Sequence, residues 1–302
     1  MFMKDSCSFI HFSKSIKDDT INNVCKMMGK DAVMNTLKVK ETVLQPGRPK
    51  VAVPVMGTSP QEIVEECEHI KTLPCDIIEW RADYYLSALG NLEERLQDKD
   101  VYLELLKILD DINLIAEEMP VIFTLRTKEQ GGEIELTDGQ KESLWSLVCQ
   151  SELIDLIDVE LPVDMNEERE NWLKSRLDEI HQSGIKVIMS YHDFDRMLTP
   201  QEIVEKTGRM TTIGADVFKF AAMAYSRDDA ESLLKTTAYL TKNNIGPIVM
   251  MAMGEWGKTT RVAAGRYGSS ITFASGRKQS APGQVDTFTM KKWLDDYYGE
   301  DV

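Results

Sequence analysis

The residue of most chemical promise in this 302-residue chain is Lys219, a lysine set inside the apolar run VFKFAAM. A strand buried on both faces leaves an ammonium group without water. Shedding the proton is one escape, and it yields the neutral amine that attacks a carbonyl to form an imine. A lysine that snorkels outward, or one paired with a carboxylate such as Glu160, is the structural alternative. His192, in SYHDF, is one of four histidines and closes the preceding apolar run. Read alone, it is equally a hydrogen-bonded structural residue. Beside an imine lysine it could remove a proton alpha to the imine carbon and protonate a leaving hydroxyl. Such enamine chemistry needs no metal and no bound cofactor, and the chain has no phosphate-binding glycine loop and no metal-ligand spacing.

Other polar residues fall at or just beyond the ends of apolar runs: Glu79 and Arg81, Arg126, Asp158 and Glu160, Asp193, and Met253. Guanidinium forks suit a carboxylate with neighbouring hydroxyls, which makes Arg81, Arg126 and Arg261 candidates for an anionic ligand. The formal net charge of −15 makes placed arginines necessary for any such ligand, and it disfavours nucleic acid and anionic membranes as partners. Ser280-Ala-Pro-Gly-Gln284 has the turn residues of a loop that could lie over a site. Methionines within 249–253 read as core packing, with Met253 alone reaching a ligand.

These residues are carried by a regular alternation. Eight short apolar runs, at 51–56, 76–80, 121–125, 153–159, 186–191, 216–220, 247–253 and 271–275, are separated by longer amphipathic stretches. Repeated βα units of that number predict an α/β protein closed as a single-domain (β/α)8 TIM barrel, whose site lies at the carboxyl ends of the strands. A doubly wound sheet is the competing architecture. Ser59-Pro60, Thr137-Asp138 and Thr199-Pro200 read as helix starts. The barrel is expected over 47–302. Residues 1–46 read as a polar N-terminal extension largely outside the core, with a weak helical candidate near 21–30 and Met34 as an alternative start. The five cysteines are scattered and never form CxxC, which fits a reducing cytoplasm, and no window is long and apolar enough to span a membrane.

The stretches IIEWRADYY (77–85), FTLRTKEQGGE (123–133), LIDVEL (156–161), SYHDF (190–194), VFKFAAM (217–223), MAMGEWGKTTR (251–261) and SAPGQ (280–284) resemble, in order and spacing, the type I 3-dehydroquinate dehydratases of the shikimate pathway. The similarity runs over about 37–298. The resemblance implies a TIM-barrel lyase that dehydrates 3-dehydroquinate through a Schiff base, acts in aromatic amino acid biosynthesis, needs no cofactor and forms a homodimer. Carried over, Lys219 is the imine lysine and His192 the acid and base. Glu79, Arg81 and Arg126 contact the ring hydroxyls and carboxylate region, Met253 and Phe273 line the ring, Arg261 holds the carboxylate, and Ser280 and Gln284 belong to the closing loop. Gln130 and Glu160 stand behind them.

One departure from the family pattern bears on the chemistry, whereas smaller ones, such as Ala224 where the family commonly has proline, affect loop shape. Gln130 stands where a glutamate pairs with the histidine, unless a shifted loop brings Glu129 or Glu133 there instead. An imine aldolase of a sugar phosphate is disfavoured, because Arg261 and the SAPGQ loop occupy the place of a phosphate cradle. A barrel that binds such ligands without turning them over is disfavoured by the retention of both His192 and Lys219.

Overall fold

The computed structural model describes residues 36–299. The helical candidate near 21–30 and the alternative start at Met34 lie outside them. Two short strands, β1 (Leu37–Val39) and β2 (Thr42–Leu44), pair as an antiparallel hairpin. Eight further strands follow: β3 (Lys50–Val55), β4 (Ile77–Arg81), β5 (Val121–Thr124), β6 (Leu156–Glu160), β7 (Lys186–Asp193), β8 (Val217–Met223), β9 (Ile248–Met253) and β10 (Ile271–Phe273). They pair in parallel in the order β10-β3-β4-β5-β6-β7-β8-β9. The Ser270 amide donates to the Ile248 carbonyl at 2.7 Å, which ties the approach to β10 against β9 and all but closes the ring. First and last strands being neighbours, the sheet is a barrel and not a doubly wound sheet.

Helices follow the strands on the outside. The three predicted starts all carry side-chain caps: Ser59 accepts from the Glu62 amide at the head of α1 (Pro60–Lys71). Further on, α2 (Ala82–Ala88), α3 (Leu92–Arg95) and α4 (Lys99–Ala116) lie between β4 and β5. Thr137 and Thr199 form reciprocal capping boxes with Gln140 and Glu202 at the heads of α5 (Asp138–Ser151) and, beyond α6 (Glu167–Gln182), α7 (Pro200–Ile213). Then come α8 (Arg227–Lys242), α9 (Gly257–Tyr267) and α10 (Thr287–Tyr298).

Side chains alternate between barrel interior and helix layer along each strand. Ile78, Phe123, Ile157, Met189, Phe218 and Met250 pack under the helices. Ala52, Ile77, Ile122, Leu156, Ile188, Val217, Val249 and Ile271 form an apolar layer inside the barrel. Two residues further along, the inward positions become Glu79, Thr124, Asp158, Ser190 and Lys219, all buried. The interior is thus a dry floor carrying a polar storey.

Residues 37–44, grouped by sequence with the extension outside the core, belong to it: Val39 and Leu44 pack into the same interior cluster as Ala52 and Ile77. The hairpin plugs the floor of the barrel. Two three-residue strands around the Lys40-Glu41 turn are too short to show a period. Leu44→Ala should destabilise the protein by roughly 2–5 kcal/mol, the range for truncating a buried leucine. Denaturant unfolding measures it, and a change within error would make the hairpin dispensable.

Candidate active site

Two strands run further than sequence predicts. Because β7 continues to Asp193, His192 sits within the strand, and because β8 continues to Met223, Lys219 is its third residue and lies inside the barrel. In register, Glu160 opposes Ser190 and Ser190 opposes Lys219. Because the strands of a closed barrel are tilted and staggered, register partners do not share a height, and the inward residue that meets Lys219 is Asp158.

Above the floor opens a narrow cleft. Its wall brings together Glu79, Arg81, Arg126, Gln130, His192, Lys219, Met253, Phe273, Ser280 and Gln284 from the sequence-predicted set. Glu160 and Arg261 stand behind the wall.

Lys219 is paired, but not with Glu160. Its Nζ lies 2.8 Å from Asp158 Oδ2 and 3.3 Å from Glu79 Oε1, and 4.5 Å from the centre of the Phe273 ring. Glu160 instead accepts from Arg126 Nη1 at 3.1 Å and from the Thr127 amide and hydroxyl at 2.9 and 2.8 Å. The same Arg126 donates from Nη2 to Asp158 at 2.7 Å and from Nη1 to the Ser190 hydroxyl at 2.9 Å. Burial opposes ionisation of Asp158, yet the Arg126 guanidinium and the Lys219 ammonium outweigh it and hold the carboxyl well below the usual range. Arg81 forks onto Asp83 at 2.7 and 2.8 Å, and the wholly buried Asp83 also accepts from the Glu133 amide at 3.2 Å. Asp193, a strand-end candidate, instead caps the following turn by accepting from the Asp195 and Arg196 amides.

Gln130 does stand at the histidine. Its Oε1 accepts from the His192 amide at 2.8 Å and lies 3.3 Å from His192 Nδ1, while its Nε2 donates to the Leu161 carbonyl at 2.9 Å. The carbonyl partner fixes which way the amide points, so the proton of the neutral imidazole belongs on Nδ1 and the Nε2 lone pair is left free. Glu129 and Glu133 are exposed and take no part. The turn that aims Gln130 ends on Gly131 at φ +83°, where a Cβ would lie 2.2 Å from the Phe194 ring. Only glycine fits both the left-handed backbone and that ring. Desolvation by the surrounding protein, with the positive charges of Arg126 and Lys219, pushes His192 well below 6.5, against the opposing pull of Asp158.

Arg261 is buried, with Nη1 at 3.6 Å from Met251 Sδ and 3.4 Å from the Phe273 carbonyl, and Nη2 at 3.1 Å from the Pro282 carbonyl. No carboxylate pairs with it among the described residues, and burial alone lowers it to about 10. Ser280 and Gln284 bond each other: the Ser280 amide donates to Gln284 Oε1 at 2.7 Å and Gln284 Nε2 to the Ser280 hydroxyl at 2.8 Å.

Sequence reasoning named Asp158 as a strand-end polar residue but missed its partnership with Lys219. The signal was present: Asp158 and Glu160 are two apart in LIDVEL and so share the inward face. Ser190, Ala221 and Met251 carried none beyond the same alternation. A buried amine between carboxylates, an imidazole with a free nitrogen and an unpaired guanidinium together suit imine chemistry on an anionic carbonyl compound.

Comparison with known proteins is consistent with this. The family model described as type I 3-dehydroquinase matches residues 51–301. The 3-dehydroquinate dehydratase of Listeria welshimeri is 34% identical over 262 residues, covering 87% of this chain and 98% of its own. That of Clostridium kluyveri is 36% identical over 259 residues, covering 85% and 96%. Among solved structures, the type I 3-dehydroquinate dehydratase from Clostridium difficile, with covalently modified comenic acid, superposes with a TM-score of 0.77 at 29% identity, covering 87% and 98%. The enzyme from Geobacillus kaustophilus superposes with a TM-score of 0.78 at 27% identity, covering 89% and 100%.

Proposed function

Because the chain belongs to the type I 3-dehydroquinase family and is a hydro-lyase, we propose that it converts 3-dehydroquinate to 3-dehydroshikimate through an imine on Lys219, with His192 moving the protons. The observation that carries the mechanism is the cavity wall shared by the Lys219 amine and a His192 whose Nε2 is free. The amine adds to the ring ketone and water leaves, giving an iminium. Neutral His192 takes the alpha proton, the resulting enamine expels the hydroxyl on the next carbon, and the imidazolium protonates it as it departs as water. Hydrolysis of the conjugated imine then returns Lys219 and the enone. Burial of substrate beneath Phe273 and the 280–284 loop keeps the imine from premature hydrolysis.

Arg261 supplies the site for the substrate carboxylate, since its guanidinium is buried without an anion. Glu79, Arg81 and Arg126 address the ring hydroxyls, Met253 lines the ring, and Glu160 keeps Arg126 in place. The same reading puts the enzyme in the shikimate pathway of the cytoplasm as a homodimer. Borohydride reduction with 3-dehydroquinate, followed by peptide mass, tests the function: a stable adduct on Lys219 together with enone formation is expected. Turnover without an adduct would refute the imine, and an adduct without turnover would mark a binding protein.

Arg261→Gln should cost about 2 kcal/mol or more of substrate binding, the scale for truncating one side of a buried charge pair. KM then rises roughly 30-fold. Because removing Arg261 orphans no carboxylate and only its bonds to the Phe273 and Pro282 carbonyls are lost, Tm should fall modestly. Gln130→Glu places a carboxylate beside Nδ1, which favours the imidazolium and raises the His192 pKa. The acid limb of the kcat/KM profile should move to higher pH accordingly, and superimposable profiles would show that Gln130 does not tune His192.

A further inference from the structure

Imine formation requires a Lys219 amine without its ammonium proton, and His192 is already committed to the alpha carbon and the leaving hydroxyl. Two carboxylates flank Nζ, Asp158 at 2.8 Å and Glu79 at 3.3 Å, and they are not equivalent. Asp158 is saturated: its other oxygen takes Arg126 Nη2 at 2.7 Å and the Ser190 hydroxyl at 2.6 Å. A carboxylate so bound to a guanidinium stays ionised. Glu79 has one further donor among the described residues, the neutral Thr124 hydroxyl at 3.1 Å, and it falls on the same oxygen that faces Lys219. No described residue donates to Glu79 Oε2, and Glu79 forms part of the cavity wall. The other charges that face it are Arg81 on its own strand and Arg126 beyond β5.

Building on the imine reading, we propose that Glu79 carries the proton of imine formation, while Asp158 remains ionised as the counter-ion of first the ammonium and then the iminium. Glu79 takes one proton from the Lys219 ammonium. The nitrogen lone pair forms the C–N bond as the carbonyl π bond breaks, and an amine proton passes to the carbonyl oxygen to give the carbinolamine. The C–O bond then breaks as nitrogen forms C=N, and the Glu79 proton completes the departing water. Ammonium and ketone become iminium and water, and Glu79 ends as it began. Nζ is positive at the start as ammonium and at the end as iminium, and neutral as the amine and carbinolamine between them, so a fixed anion at 2.8 Å stabilises both charged ends of the sequence.

The test compares full-length wild-type enzyme with Glu79→Gln, Glu79→Asp and Glu79→Ala at saturating 3-dehydroquinate. Two rates are read: borohydride trapping on Lys219, and exchange of the ketone oxygen with heavy-oxygen water above the uncatalysed rate. Both should fall together by about 100-fold or more in Glu79→Gln, the scale of a lost general acid–base group. Glu79→Asp should recover part of the loss, and added formate should accelerate trapping by Glu79→Ala. Trapping by Glu79→Gln at the wild-type rate with only KM raised would assign Glu79 to substrate binding and overturn the proposal. Slow trapping that neither aspartate nor formate relieves would mark a structural role and overturn it equally. If wild type itself gives no adduct, the imine reading falls and this proposal with it.

Discussion

Lys219→Met should leave a folded protein with dehydration of 3-dehydroquinate reduced by roughly 10⁴-fold or more, the scale on which removing a covalent nucleophile acts. Methionine matches the length of the lysine stem and its apolar surroundings, so packing under Phe273 is retained, but no nitrogen remains to form an imine. The remaining machinery cannot compensate, because acidity at the alpha carbon depends on the electron sink that the iminium provides. Stability should change less than activity. Breaking an isolated buried ion pair costs roughly 3–5 kcal/mol, but Asp158 keeps its 2.7 Å bond to Arg126 when Lys219 is gone. Glu79 loses its cation and keeps the Thr124 hydroxyl. A lowered Tm is therefore expected, together with complete loss of the borohydride adduct. Turnover within a hundredfold of wild type in a folded Lys219→Met protein would remove the imine from the mechanism.

The barrel was legible because its strands are buried on both sides. Runs such as VIFTL and PIVMMAM carry little besides apolar residues, and capping residues punctuate the helices between them. Strand ends were less legible. SYHD and FAAM continue the pairing past the point where sequence ends the strands, since neither the polar His192 and Asp193 nor the alanines announce a strand. That extension makes Lys219 the third of seven strand residues instead of one near the strand's end. Its partner was misread for a related reason: choosing between Asp158 and Glu160 requires the stagger between β6 and β8, a property of closure. The hairpin over the floor was read as part of an appendage because six paired residues offer no period. By contrast, Gln130 landed where the motif spacing predicts, because Gly131 and the Phe194 ring leave the turn one conformation.

His192→Ala should lower turnover by about 10²–10⁴-fold, the contribution of a positioned acid and base. It should spare imine formation, so the substrate adduct on Lys219 is still trapped by borohydride and accumulates in the absence of product. That split separates the two functional groups in a single experiment. Its pH dependence follows from the sign of the shift. Desolvation, Arg126 and Lys219 hold His192 well below 6.5 in the folded protein, so the folded state favours neutral imidazole relative to the unfolded chain at about 6.5. The associated stability is present above that value and is lost as pH falls from it towards the folded pKa. His192→Ala should therefore flatten the decline of Tm on the acid side of 6.5, and an unchanged slope would show that another group sets it. The same charges explain why a poor proton acceptor serves. The iminium keeps the positive charge of the ammonium, so His192 stays neutral and ready as a base when the imine forms. Removal of the alpha proton turns the iminium into a neutral enamine, which withdraws the Lys219 charge as the imidazolium appears. The residue that keeps His192 deprotonated before the step thus ceases to oppose its protonation during it. The proton is then held where the departing hydroxyl needs it.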